Sequence, residues 1–332
     1  MARGAVSEIM NVKAGLGAMQ HLWIVLAVSG AFFQAIRTAG QRDLNKHLST
    51  LATTYVRSLF GLPLLAIYLV AVMRLTGQGL PDFNTAFLLY TFTGAMAQVV
   101  ATALLIRMFT LRNFGVGTML TKIDVVFTAV LGSLFFAEVP SFTGAMSLGV
   151  ITAGVLLMSL ERTQRAGGLL PVAAAATWRS RIREVLADKS LAVALGCAIT
   201  FSISFLTYRE AALAIGAGSF LWRGAWVVLL AILMQTVVVG LWLAWREPGL
   251  TARLKPHMRL ASFIGATSAA GSICWFTAFA LESASYVRAV GQIEVVFTLL
   301  VSAFYYRERI SPLELSGIAL TVVGVLMFRL LV

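Results

Sequence analysis

Ten apolar runs separated by short polar stretches occupy most of the chain: 20–36, 50–73, 84–106, 114–136, 141–160, 190–207, 216–245, 259–281, 284–306 and 312–331. A helix rises about 1.5 Å per residue, so it needs about 20 apolar residues to cross about 30 Å of hydrocarbon. The runs approach that length and leave no soluble domain of useful size between them. The pattern predicts an all-α membrane protein with ten transmembrane helices, counted 1 to 10 in chain order.

One polar interruption of this pattern occurs twice. "KIDVVFT" (122–128) places Lys122 and Asp124 inside helix 4, and "QIEVVFT" (292–298) places Gln292 and Glu294 inside helix 9. At a constant offset of 170, Ile123/Ile293, Val125/Val295, Val126/Val296, Phe127/Phe297 and Thr128/Thr298 are identical, and Asp124 aligns with Glu294. The register continues through Glu138/Glu308, Ser141/Ser311, Gly154/Gly324 and Val155/Val325. Nearer the N-terminus the copies drift, and Gly30/Gly196 and Arg57/Arg223 match at 166. The chain then divides into an N-terminal tail (1–19), a first five-helix repeat (20–160), a basic linker (161–189) and a second five-helix repeat (190–332). Five is an odd number, so the second repeat enters the membrane inverted.

Composition agrees: 59% of the 332 residues are hydrophobic and 12% charged, against about a quarter charged in soluble domains. The net charge of +12 does not imply nucleic acid, because the basic residues sit in short loops, where they act as topology signals and contact anionic lipid. Loops 1–2 and 3–4 hold Arg37, Arg42, Lys46, Arg107 and Arg112, whereas 2–3 and 4–5 hold only Arg74. In the second half the bias switches: loops 7–8 and 9–10 are rich and 6–7 and 8–9 hold only Arg209. With Arg57, Lys122, Arg223 and Arg288 set aside as intramembrane, 17 Lys and Arg lie on one side and 5 on the other. The positive-inside rule makes the rich side cytoplasmic and both termini external. The linker suggests either a surface-lying helix, with Trp178, Ile182, Val185 and Leu186 on one face, or a solvated connection. The N-terminus lacks a clear cleavage site and reads as a tail rather than a signal peptide.

Asp124 and Glu294 each fall 11 residues into their helices, near the midplane. A charge there costs about 2.5–3.5 kcal/mol on insertion scales and persists when it faces protein or a wet cavity. Lys122 and Asp124 point about 200° apart on a helix, so each needs a partner elsewhere. Two readings stand side by side: an interhelical lock such as Lys122 with Glu294, and a midplane site for substrate or protons. Arg288 and Gln292 align with Thr118 and Lys122, giving each copy a polar stripe, and Arg288 can meet an anionic substrate group. Arg57 and Arg223 are expected at matching depths, snorkelling to the interface. Helices 1 and 6 are the shortest and most polar of their halves, which makes Gln34, Gln98, Thr200, Ser204 and Trp275 further candidates for the cavity wall.

Other features read as architecture. Glu138 and Glu308 close helices 4 and 9, each before a Ser that can cap the next helix, and "SPLE" (311–314) has the form of a capping box. Gly144, Gly149, Gly154, Gly317 and Gly324 mark close helix packing or a homodimer face. Cys197, Cys274, His21, His47 and His257 have neither metal nor redox spacing, so no metal and no cofactor are expected. No Ser–His pair or Cys/His/Asp cluster falls inside the spans, and an intramembrane enzyme finds little support.

The duplicated five-helix plan, the midplane acids and the helix ends "FFAE" and "YYRE" before Gly-rich helices resemble the EamA branch of the drug/metabolite transporter superfamily. The resemblance covers nearly the whole chain and is strongest in 114–160 and 284–331. It implies a basket of helices around a central cavity, helices 5 and 10 at the periphery, alternating access, and often export of amino acids or other small metabolites. Glu294 and Glu308 match acids of the family pattern. Val295, and Val125 with it, stands where the family has Pro, which removes the reason to expect a proline kink. The family is usually placed with cytoplasmic termini, opposite to the charge count. The leading expectation is a secondary transporter, an inner-membrane exporter of small polar or zwitterionic metabolites, with protons as a coupling ion. The alternative is a translocator of lipid or lipid-linked molecules.

Overall fold

Serine recurs where loops end and helices begin. Ser49 Oγ accepts from the Ala52 N–H (3.1 Å), Ser141 from Gly144 (3.1 Å), Ser219 from Trp222 (3.3 Å) and Ser283 from Tyr286 (3.4 Å). Each satisfies an amide that the helix leaves unbonded. "SPLE" forms the reciprocal box, with Ser311 N–H to Glu314 Oε2 at 2.8 Å and Glu314 N–H to Ser311 Oγ at 3.0 Å.

The computed structural model describes residues 21–111, 122–165, 189–304 and 310–331. The N-terminal tail, the linker helix expected around Trp178, and Arg112, Thr118 and Glu308 lie outside them. Within the described residues the fold is all-α: α1 (Leu22–Leu44), α2 (Thr50–Thr76), α3 (Thr85–Leu111), α4 (Asp124–Phe135), α5 (Phe142–Arg165), α6 (Lys189–Ala214), α7 (Phe220–Arg246), α8 (Met258–Leu281), α9a (Ala284–Gly291), α9b (Glu294–Phe304) and α10 (Pro312–Leu331). Eight spans among these residues are long and apolar enough to cross a membrane, and the shorter apolar helices 124–135 and 142–158 accompany them. Ile67, Leu134, Phe135, Leu241 and Leu326 are exposed, the outward apolar surface a chain presents to lipid. The chain is an integral, multi-pass membrane protein.

Contacts between loops fix the direction of each helix. On one face, here face A, Asn84 Nδ2 donates to Ala214 O (2.6 Å), the Ser219 N–H to Gln78 Oε1 (3.0 Å) and Trp222 Nε1 to Gly79 O (2.9 Å). On the other, face B, Ser49 Oγ donates to Glu247 Oε1 (2.5 Å) and the rings of His47 and His257 stack 4.2 Å apart. Thus α1 ends on face B while its repeat mate α6 ends on face A. The two repeats are inverted, as the odd helix count requires.

The caps also set the register between repeats. Ser49/Ser219 and Ser141/Ser311 are both 170 apart, and so are the helix ends Leu44 and Ala214. The 166 offset for Arg57/Arg223 is therefore displaced by one turn. Arg57 lies eight residues past its cap and Arg223 four, so the two occupy different depths, contrary to expectation. Identity alone misaligned them where the copies had drifted. Helix 1 also runs further than its apolar window, to Leu44, so Arg37 and Arg42 are helical rather than in a loop. Arg107 in α3 and Arg209 in α6 are helical for the same reason.

α5 and α10 cross at glycine. A Cβ on Gly154 would stand 2.8 Å from Gly317 O, and one on Gly317 2.7 Å from Gly154 O. Ile151 and Ser147 O approach Gly324 in the same way. These glycines pack one helix against another within the chain, whereas Gly149 meets nothing.

Candidate functional site

The repeated heptapeptides fall where two helices tighten. In helix 9 the N–H of Gln292, Ile293 and Val295 bond to Ala289 O (3.1 Å), Val290 O (3.1 Å) and Gln292 O (3.0 Å). In helix 4 the N–H of Val126 bonds to Ile123 O (3.0 Å). These are i→i−3 bonds, a 3₁₀-type tightening that inside a long helix often marks a hinge. The absence of proline therefore did not keep helix 9 regular. Asp124 and Glu294 each lie inside such a turn and are the first residue of the helical segment that follows.

Each acid is held by side chains of the other repeat. Arg288 Nη2 donates to Asp124 Oδ2 at 2.6 Å and Gln292 Nε2 to Asp124 Oδ1 at 3.3 Å. Lys122 Nζ lies 3.3 Å from Glu294 Oε2, to which Gln34 Nε2 also donates at 2.7 Å. The Gln292–Asp124 and Lys122–Glu294 contacts are images of one another at the 170 offset. The first cluster is nearly dry, with side chains 4% and 8% exposed for Asp124 and Arg288, whereas Lys122 and Glu294 keep 18% and 13%. The Arg288 guanidinium also lies over the Phe205 ring (4.2 Å) and near Trp275 (5.4 Å), contacts worth about 2 kcal/mol when desolvated. Trp275 is seated between Gly30 and Gly291, where a Cβ would collide with its ring.

Five of the expected residues from both repeats thus meet at two acids: Lys122, Asp124, Arg288, Gln292 and Glu294, with Gln34 joining from α1 and Trp275 behind Arg288. Gln98 belongs to a separate group. Its Oε1 accepts from Tyr208 Oη (3.0 Å) and Gln235 Nε2 (2.6 Å), and these two bond each other at 2.9 Å. Thr200 is spent on its own helix, on Gly196 O (2.7 Å) and Cys197 O (3.1 Å), and Ser204 is buried beside Tyr208. Two narrow crevices lie in this region, one beside Lys122, Ile123 and Gln292 and one beside Arg57, Ser58, Gln98 and Gln235. Arg57 does not snorkel. It lines the second crevice, and its Nε and that of Arg37 are buried without partners. Arg37, Tyr208 and Gln235 escaped the sequence reading. The cap-aligned register would have shown that Arg57 lacks a basic mate.

A further cluster ties face A. Arg209 Nε lies 2.5 Å from Glu138 Oε1, and its Nη1 donates to Phe279 O (2.8 Å) and to Glu282 O. Glu138 Oε2 accepts the Ala284 N–H at 3.1 Å, at the start of α9a. Glu138 is therefore more than turn architecture: it joins the α4–α5 loop to the other repeat. Burial pushes its carboxyl above the ordinary carboxylate range, against the opposing pull of Arg209. Tyr286 Oη supports the same loop by accepting the Ser141 N–H at 2.8 Å. Arg223 reaches only Ala280 O, at 3.4 Å.

No group of His, Cys, Asp and Glu among the described residues has the arrangement of a metal site. Of the residues around the two acids, Lys122 and Gln292 line a crevice.

Comparison with curated proteins gave no match. A solved structure, described only as a crystal structure of a protein, superposes with a TM-score of 0.67 over 95% of this chain and 96% of its own, at 12% identity; that likeness concerns the fold. The family model described as the EamA-like transporter family matches residues 21–160 and again 188–330. Both inverted halves are covered, and the chain belongs to the EamA-like transporter family.

Proposed function

We propose that this chain is a secondary active transporter that exports small polar or zwitterionic metabolites, such as amino acids, across the bacterial inner membrane by alternating access. The observation that carries the reading is the crossed pairing at the tightened turns: one buried acid per repeat, each gripped by side chains of the opposite repeat. Rocking the repeats about these turns changes both grips at once. A ligand bearing a cationic and an anionic group can replace an internal partner on each side, which lowers the barrier that the buried ion pairs impose. Proton binding at Asp124 or Glu294 supplies coupling. The charge bias puts face B in the cytoplasm, so a molecule tied on face A is in the state that loads an exporter.

The test is uptake of a labelled amino-acid panel into proteoliposomes under an imposed pH gradient, comparing Asp124→Asn and Glu294→Gln with the parent. Each isosteric change should lower uptake by about a hundredfold, the effect of losing a charged hydrogen bond in a buried site, while the protein still elutes as a folded species. Unchanged uptake with unchanged pH dependence in both variants overturns the reading. A fluorescent-lipid flipping assay on the same vesicles separates it from lipid translocation.

A further inference from the structure

Among the described residues, the cations Lys122, Arg288, Arg37 and Arg57 and the acids Asp124 and Glu294 lie between the tightened turns and face B, and these charges are not arranged with the symmetry of the fold. The acids are repeat mates. None of the cations has a basic mate: at the 170 offset Lys122 corresponds to Gln292, Arg288 to Thr118, Arg37 to Thr207 and Arg57 to Val227. Lys122 and Arg288 are taken by Glu294 and Asp124. Arg37 and Arg57 have no ion pair among the described residues, and the Nε of each is buried without a hydrogen-bond acceptor. The segment 112–121, outside the described residues, contains no Asp or Glu in its sequence.

The two arginines belong together. Arg37 lies seven residues before the face-B end of α1, and Arg57 seven residues into α2 from the same face. They feel each other's charge, and Arg37 also feels Glu294. Two like charges at one depth of the membrane repel one another and are only partly hydrated, a cost that persists only where something else uses it. Beside Arg57 a narrow crevice is walled by Thr54, Ser58, Gln98 and Gln235. Gln98 spends its carbonyl on Tyr208 and Gln235, leaving its amide N–H groups as donors. Guanidinium forks and an amide are the donor set that recognises a planar or tetrahedral oxyanion.

We propose that Arg37 and Arg57 form the anion subsite of the transport pathway, so that the substrate carries a carboxylate or phosphate group which enters from face B and neutralises them. This rests on the transporter reading above and deepens it. It also reassigns a role: Arg288, buried in its pair with Asp124 and under Phe205, is a fixed counter-charge, and the substrate's anion goes to the unpaired arginines. The surviving polar partners, Glu294 and Gln34, then face the remainder of the molecule, where an amine or hydroxyl would sit.

The experiment uses the full chain in phosphatidylcholine proteoliposomes with four labelled probes: L-glutamate, glycerol 3-phosphate, L-threonine and putrescine. At least one probe carrying an oxyanion should be transported, and Arg37→Gln and Arg57→Gln should each raise its KM about tenfold to a hundredfold, as expected for loss of a charge-assisted contact. Arg57→Lys, which keeps the charge but not the fork, should recover part of the loss. Transport of putrescine alone, or of any probe with KM unchanged in both Gln variants, overturns the inference while leaving the transporter reading intact. A second measurement does not need turnover. Melting of the purified protein is followed with glutamate, glycerol 3-phosphate and inorganic phosphate, each of which should raise the midpoint of the parent but not of the Gln variants. No shift with any anion also overturns it. Stabilisation by phosphatidylglycerol nanodiscs alone, dependent on the two arginines, would assign the same phosphate chemistry to lipid headgroups and overturn the substrate claim. If no probe moves yet the arginine-dependent shift with soluble anions remains, the transporter reading falls and the anion subsite stands.

Discussion

Arg288 shows what a buried charge costs and what holds it. Its guanidinium meets Asp124 at 2.6 Å, covers Phe205 and leaves its own Nε without a partner. Removing one member of such a pair strands the other, at a cost of about 3–5 kcal/mol, whereas removing both leaves an apolar site that packs with little loss. Arg288→Met should therefore lower the melting midpoint by several degrees more than the double variant Arg288→Met/Asp124→Leu. Scanning fluorimetry in detergent distinguishes the two. Equal destabilisation of the single and double variants would mean that the pair contributes no coupling. By contrast, Lys122 and Glu294 are partly hydrated, and losing either member should cost less.

At the scale of the element, α5 and α10 owe their contact to the absence of side chains. Without a hydrophobic driving force between lipid-solvated helices, close backbone approach supplies the attraction. A Cβ on Gly317 would meet Met158 Cγ at 2.5 Å and Gly154 O at 2.7 Å, so Gly317→Ala must part the helices. We expect a loss of about 1–3 kcal/mol, the usual range for overpacking, measured as a fall in melting midpoint. Gly149→Ala, facing open space, is the matched control and should be neutral. These elements were legible in the sequence because membrane helices announce themselves by apolar length, and one glycine of the crossing, Gly154/Gly324, survives duplication. Helix ends were less legible. α1 continues past its apolar window to Leu44, and hydropathy registers only the loss of apolar character at Arg37 and Arg42. The acids of the site were legible through their repetition. Their partners were legible only in part: the Lys122–Glu294 contact follows from repeat symmetry, but the orphaned Arg37 and the Gln98–Tyr208–Gln235 group depend on which helices abut, which periodicity does not encode.

The whole molecule is two inverted halves whose joint on face A runs through Glu138, Arg209 and the first amide of α9a. In a transporter that alternates, such a joint must be strong enough to hold one state and weak enough to release it. Hydrogen bonds to charged groups contribute about 1.5–3 kcal/mol each, and a shift of that size changes an equilibrium between two states by about 10- to 150-fold. Arg209→Gln keeps length and polarity but removes the charge from Glu138 and the fork from Phe279 O and Glu282 O. It should therefore populate the state open on face A. Ser285, buried directly beside the joint, reports this when replaced by Cys in a background lacking Cys197 and Cys274. Labelling of Ser285→Cys by a membrane-impermeant maleimide should accelerate about tenfold or more in Arg209→Gln. Because face A is the charge-poor face, the acceleration should appear with reagent outside intact cells and not with reagent outside everted vesicles, which reaches only the cytoplasmic face. Acceleration only from the cytoplasmic side would reverse the orientation that the loop charges suggest, and with it the direction in which this state loads its substrate. Unchanged labelling from both sides would mean that the Glu138–Arg209 contact is a static brace, and that the two halves part along another seam.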